Sequence, residues 1–125
     1  MENHDSVDSI REYSRYWRNK IEKRKKNLLK REELLKNLAK KSSVLLKKNF
    51  NVKKVYLIGS LTRKHRIHEK SDINLVVVGL SDKKYFSALK ELYRLVPIGV
   101  DIDLITEETA SESMKNIIEN YGVLI

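Results

Sequence analysis

The sequence has no cysteine, four glycines and one proline in 125 residues. Lack of cysteine excludes a disulfide framework and a thiolate zinc site. So little glycine and proline leaves scant material for flexible linkers, and at roughly 100–200 residues per domain the length fits one compact unit. No apolar run approaches the roughly 18 residues a membrane-spanning helix needs, so no membrane association is expected. The opening Met1-Glu2-Asn3-His4-Asp5 lacks the basic-then-apolar layout of a secretory signal, and the expected setting is reducing and cytoplasmic. Aromatic residues make up only 7%, yet 41% hydrophobic residues exclude a disordered chain, and 34% charged residues imply one modest core with long solvated faces.

The formal charge of +9 sits in one half of the chain. Residues 1–50 carry fifteen basic and seven acidic side chains, net +8, whereas residues 51–125 carry eleven and ten, net +1. The densest run is Lys20-Ile21-Glu22-Lys23-Arg24-Lys25-Lys26, followed by Lys30-Arg31. One reading is a surface that attracts RNA, DNA or an acidic protein. The other is a solvated helix face with i,i+4 pairs such as Glu22 with Lys26 and Glu32 with Lys36. The second is favoured, because aromatic residues do not interleave the basic cluster as single-strand binders require.

Residues 6–48 contain neither glycine nor proline and are rich in strong helix formers. Ile10, Tyr13, Trp17, Ile21, Leu28, Leu35, Leu38 and Leu45 recur at helical spacing, with Arg24 and Arg31 breaking a strict heptad seam. The expectation is one long helix, or two broken near Lys25–Asn27, with Leu34 to Leu46 packed on the core. The stripe around Trp17 either meets a partner or folds back on the sheet. Residues 1–50 thus read as a basic helical arm and 51–125 as the core.

After Phe50 the texture changes. Val55-Tyr56-Leu57-Ile58 reads as a buried strand ending at Gly59, and Thr62 to Lys70 as a polar loop. Ile73 to Val78 is a second strand ending at Gly79. Ser81-Asp82 is expected to cap a helix from about Lys83 to Val96, with Phe86, Leu89, Leu92 and Val96 on one face, stopped by Pro97 and Gly99. Val100 to Ile105 is a third strand. Thr109 or Ser111 opens a last helix reaching Tyr121, with Gly122 as its left-handed terminator. Val123-Leu124-Ile125 adds an edge strand or a core plug. The fold class is α/β (α+β): a small mixed sheet flanked by helices.

The chemistry gathers at strand ends. Gly59-Ser60 permits a tight turn whose hydroxyl and N–H groups suit a phosphate. Asp72 and Asn74 share a sheet face, as do Asp101 and Asp103. If the second and third strands are neighbours, these acceptors converge beside the Gly-Ser turn, and hard oxygen donors of this kind suit Mg²⁺. His65 and His68, three apart, could bind a transition metal or act as bases, but a structural role for His68 is favoured.

Gly59-Ser60, then Ser71-Asp72-Ile73-Asn74, then a strand bearing Asp101 resembles the minimal nucleotidyltransferases of the DNA polymerase β-like superfamily. The resemblance runs from Val55 to Ile125. It implies a nucleotidyltransferase fold and transfer of a nucleoside monophosphate from ATP or another NTP to a hydroxyl, with Mg²⁺ or Mn²⁺ as cofactor. By the same resemblance Gly59, Ser60 and Arg63 would bind the nucleotide. Asp72, Asn74 and Asp101 would hold metal, with Asp72 and Asp101 catalytic. Many family members of this size are antitoxins of HEPN toxins, which implies a HEPN-type protein partner, met here through the N-terminal helix. RNA as a partner and a homo-oligomer stay open. The sequence departs from the family pattern twice. Asn74 replaces the second acidic residue of the pair and adds no charge, and the gap from Gly-Ser to Asp is one residue longer, with Lys64-His65-Arg66 where a glycine often sits. Both point toward reduced activity or a degenerate site that works by binding.

Overall fold

A helix of 49 residues, α1 (Glu2–Phe50), dominates the chain. A computed structural model describes residues 2–62 and 72–125, with helix side chains from Asp8 onward. The helix is unbroken through Lys25–Asn27, as a stretch with no helix breaker allows. It stops where Asn51 takes a left-handed conformation (φ 55°). The Val52 N–H then donates to the Leu46 carbonyl at 3.3 Å, closing the chain back on the last turns of the helix. Both side chains of that closure are buried in the core.

The rest alternates strands and helices. β1 (Lys54–Ile58) leads into a short 3₁₀ turn, Ser60–Thr62. Then follow β2 (Ile73–Val78), α2 (Tyr85–Leu95), β3 (Ile102–Thr106), α3 (Glu112–Tyr121) and the two-residue β4 (Val123–Leu124). The sheet order is β3-β2-β1-β4. β1 is antiparallel to both β2 and β4. β2 and β3 are parallel, the pairing that demands a crossover, here α2. Ser111 caps α3, its hydroxyl accepting from the Met114 N–H at 3.2 Å. The edge strand is tied down by Ile125 N–H donating to the Val55 carbonyl (2.9 Å) and by Lys47 Nζ donating to the Ile125 carbonyl (2.7 Å).

One sheet face carries Val55, Leu57, Ile73, Leu75, Val77, Ile102 and Leu104 into the main core, against Leu35, Leu38 and Leu46 of α1 and Ala88 and Leu92 of α2. The other face carries Ile58 and Val76 against Ile118 of α3, with Tyr56, Ile105 and Met114 alongside. Helix α1 is thus two things at once. Its C-terminal part is core, as the sequence predicts for Leu34 to Leu46, although Leu34 itself is exposed. From Asp8 to Asn27 every side chain is exposed, and the Trp17 stripe does not fold back on the sheet.

Three local expectations need correction. Phe86 is 77% exposed. The buried stripe of α2 runs through Ala88 and Leu92, because small Ala88 lets α2 approach the core closely where Phe86 would hold it off. The helix also begins at Tyr85, after a 3₁₀ turn over Asp82–Lys84. Gly122 is not left-handed (φ −67°). Glycine is needed there for a different reason: a Cβ would lie 2.4 Å from the Ile118 carbonyl oxygen.

The outer edge of β3 is covered by two tyrosines of the α2 layer. Tyr85 donates its hydroxyl to the Leu104 carbonyl at 2.6 Å. Tyr93 donates to the Ile102 carbonyl and accepts from the Ile102 N–H, both at 3.3 Å. Such contacts satisfy backbone groups that would otherwise invite another strand. Tyr85→Phe is therefore expected to cost about 1 kcal/mol, the usual value of a lost hydrogen bond, read as a lower urea midpoint at unchanged slope.

Candidate active site

The register of β2 against β3 decides which side chains meet. Ile73 pairs with Ile102 and Asn74 with Asp103. The two isoleucines point into the main core, so alternation turns Asn74 and Asp103 to the opposite face. One step earlier, Ile73 N–H donates to the Asp101 carbonyl at 3.0 Å. Asp72 and Asp101 therefore stand side by side at the mouths of two parallel strands, on the Asn74 face. Asp72 is half-buried and Asp101 exposed.

β1 enters the same end from the other direction. Its last residue, Ile58, pairs with Asn74, and Gly59 follows at φ +89°. A Cβ at Gly59 would meet Asn74 Nδ2 at 2.7 Å. Glycine is thus required twice, by its backbone and by the amide lying over it. The turn is locked from behind: the Thr62 N–H (3.1 Å) and Thr62 Oγ1 (2.8 Å) both donate to the Gly59 carbonyl. Thr62 appears in the sequence only as the start of a loop. Its signal was available, a hydroxyl three residues beyond a turn glycine. Gly59→Ala is expected to push the Asn74 amide aside and strain the backbone by about 1–3 kcal/mol, seen as a drop in thermal midpoint.

The structure thus gathers Gly59, Ser60, Asp72, Asn74 and Asp101 at one end of the sheet, with Asp103 one step along β3. Arg63, His65 and His68 lie outside the described residues. Among the described residues no three His, Cys, Asp or Glu side chains form a group that could hold a metal ion. Asn74 contributes a neutral amide, which lies against Gly59. The donors present are hard oxygens, which suit Mg²⁺ or Mn²⁺ if phosphate oxygens supply the remaining ligands.

Comparison with known proteins bears on the family and the fold. The family profile described as Polymerase beta, Nucleotidyltransferase matches residues 40–125. The chain belongs to this nucleotidyltransferase family. Solved structures give the same fold. A toxin–antitoxin MntA–HpeT mutant aligns with a TM-score of 0.57 at 22% identity, covering 69% of this chain and 70% of that one. A toxin–antitoxin with AMP-PNP aligns at 0.55 and 20%, covering 67% and 69%. A re-refined tri-AMPylated Shewanella oneidensis HEPN toxin in complex with MNT antitoxin aligns at 0.53 and 20%, covering 72% and 70%. No curated protein matches the sequence significantly. The family match leaves residues 1–39 outside it.

Proposed function

We propose that this nucleotidyltransferase moves a nucleoside monophosphate from an NTP, with ATP the first choice, onto a hydroxyl of a HEPN-type partner protein, as the antitoxin of a pair. The single observation that carries the reading is the side-by-side position of Asp72 and Asp101 next to the Gly59-Ser60 turn. The AMP-PNP and tri-AMPylated neighbours support the choice of an adenine nucleotide and of a protein acceptor.

In this reading the turn N–H groups and the Ser60 hydroxyl cradle the phosphates. Asp72 and Asp101 would hold the divalent cation, with Asn74 offering a neutral carbonyl oxygen. The cation, when bound, offsets the negative charge of the triphosphate. Asp101, the more open of the two carboxylates, takes the proton of the acceptor hydroxyl. The freed oxygen forms its bond to the α-phosphorus as the bond to pyrophosphate breaks.

Asn74 favours one second reading, in which the site has lost too much charge to turn over and the protein acts by covering a protein or RNA partner. Labelled ATP with Mg²⁺ or Mn²⁺ and a co-expressed partner separates the two. Label on the partner with the wild-type chain supports transfer. Label only with Asn74→Asp supports a decayed site.

A further inference from the structure

The arm has a direction that the sequence does not reveal. Phe50 joins β1 through three residues, and α1 also touches the Ser60–Thr62 turn at the far end of β1. It therefore runs back along the sheet and leaves the core at the end where Asp72 and Asp101 open. At 1.5 Å per residue, Trp17 lies about 27 Å beyond Leu35, the first fully buried residue of α1. The exposed arm thus projects past the end of the sheet at which Asp72 and Asp101 lie, from the face opposite the one that Asn74 occupies.

Its surface has heptad order. Ile10, Trp17, Ile21 and Leu28 follow an a/d seam that Ser14 and Arg24 interrupt, and the first three are 64%, 41% and 52% exposed. Arg11, Arg18 and Lys25 recur every seven residues along one flank, and Lys20 lies on the other. The aromatic rings are already engaged: Tyr13 and Tyr16 each meet Trp17 edge to face, with centroids at 5.9 Å, and Lys20 Nζ lies 5.2 Å from the Trp17 centroid. The rings cluster at one end of the basic run and do not interleave it, which argues against RNA. A second copy is disfavoured as well. Residues 8–31 hold ten basic and three acidic side chains. An antiparallel pair would set the Arg11, Arg18 and Lys25 rows against each other, and a parallel pair would set Lys20 against Lys25.

We propose that residues 8–28 dock an amphipathic helix of a partner protein, apolar along its seam and acidic on its flanks, and so tether that partner at the end of the molecule where Asp72 and Asp101 lie. This deepens the proposed transfer to a protein acceptor and rests on it for the purpose of docking, although docking itself needs no catalysis. The chain has one tryptophan, Trp17, so its emission reports the seam directly. The probe is a synthetic helix of about four heptads, leucine at a and d and glutamate at e and g, titrated into the full-length protein. Expected are a saturable blue shift of Trp17, no shift with lysine in place of glutamate, and at least tenfold weaker binding for Ile21→Ala, whose exposed helical position tolerates alanine. The Asp72→Ala chain, expected to be slowed in transfer, should dock the probe as tightly as wild type, so the failure of catalysis and the failure of docking read out separately. Equal response to the two helices, indifference to Ile21→Ala, a protein that dimerises through Trp17 by itself, or tighter binding of a single-stranded RNA than of the acidic helix would overturn the proposal.

Discussion

Asp72→Ala is expected to reduce nucleotidyl transfer by about 10²–10³-fold or more while leaving the fold intact. The size follows from the role: removing one preorganised group that stabilises charge developing in a transition state costs that much in other enzymes. The fold should survive because Asp72 precedes β2 and is only half-buried, with Ile73 and Leu75 beyond it anchoring the strand in the core. Asn74→Asp is the complementary change. It places a unit charge beside Asp103 in register and against the Gly59 turn, restoring the acidic pair. Affinity for the cation–nucleotide complex should rise by about tenfold, or 1.4 kcal/mol. Steady-state transfer and nucleotide affinity measured on both variants check the pair of expectations. Equal rates for wild type and Asp72→Ala would remove Asp72 from the site.

Leu75→Ala should have the largest effect on stability. Leu75 is fully buried at the centre of β2, between β1 and β3, under both α1 and α2. Truncation there costs about 2–5 kcal/mol, a large share of the 5–15 kcal/mol that holds a domain together. Trp17→Ala, by contrast, should change stability by less than about 0.5 kcal/mol, as exposed substitutions do, because Trp17 is exposed and its ring packs against Tyr13, Tyr16 and Lys20 of its own helix. Urea unfolding of the two variants tests the division of α1 into a core half and an exposed half. A comparable loss in both would mean that the arm packs on the domain.

Much of the fold is legible in the sequence because local signals and burial agree. The runs 55–58 and 73–78 are β-branched and aliphatic apart from Tyr56 and Asn74, each is closed by a glycine, and both became sheet strands with those glycines at positive φ. Ser111 caps α3 as its position before a helical pattern suggests. The misreadings share a cause. Phe86 outweighs Ala88 on any hydrophobicity scale, but the packed face of α2 was set by how close the helix comes to the core. Gly122 looks like a conformational signal in the sequence and is a steric one. The site was legible in part. The i,i+2 spacing gives shared faces, but only the parallel register shows that Asp72 and Asp101 stand together, and only the fold shows Asn74 resting on Gly59. The direction of the arm depends on α1 packing antiparallel to β1, a tertiary choice with no local trace.

The central claim is that Asp72 and Asp101 form a cation site which the nucleotide's phosphates must complete. Mn²⁺ binding followed by electron paramagnetic resonance, with and without ATP, tests it most directly. The account predicts protein-bound Mn²⁺ only when ATP is present, and its disappearance in both Asp72→Ala and Asp101→Ala. Mn²⁺–ATP bound equally well by wild type and both variants would contradict it.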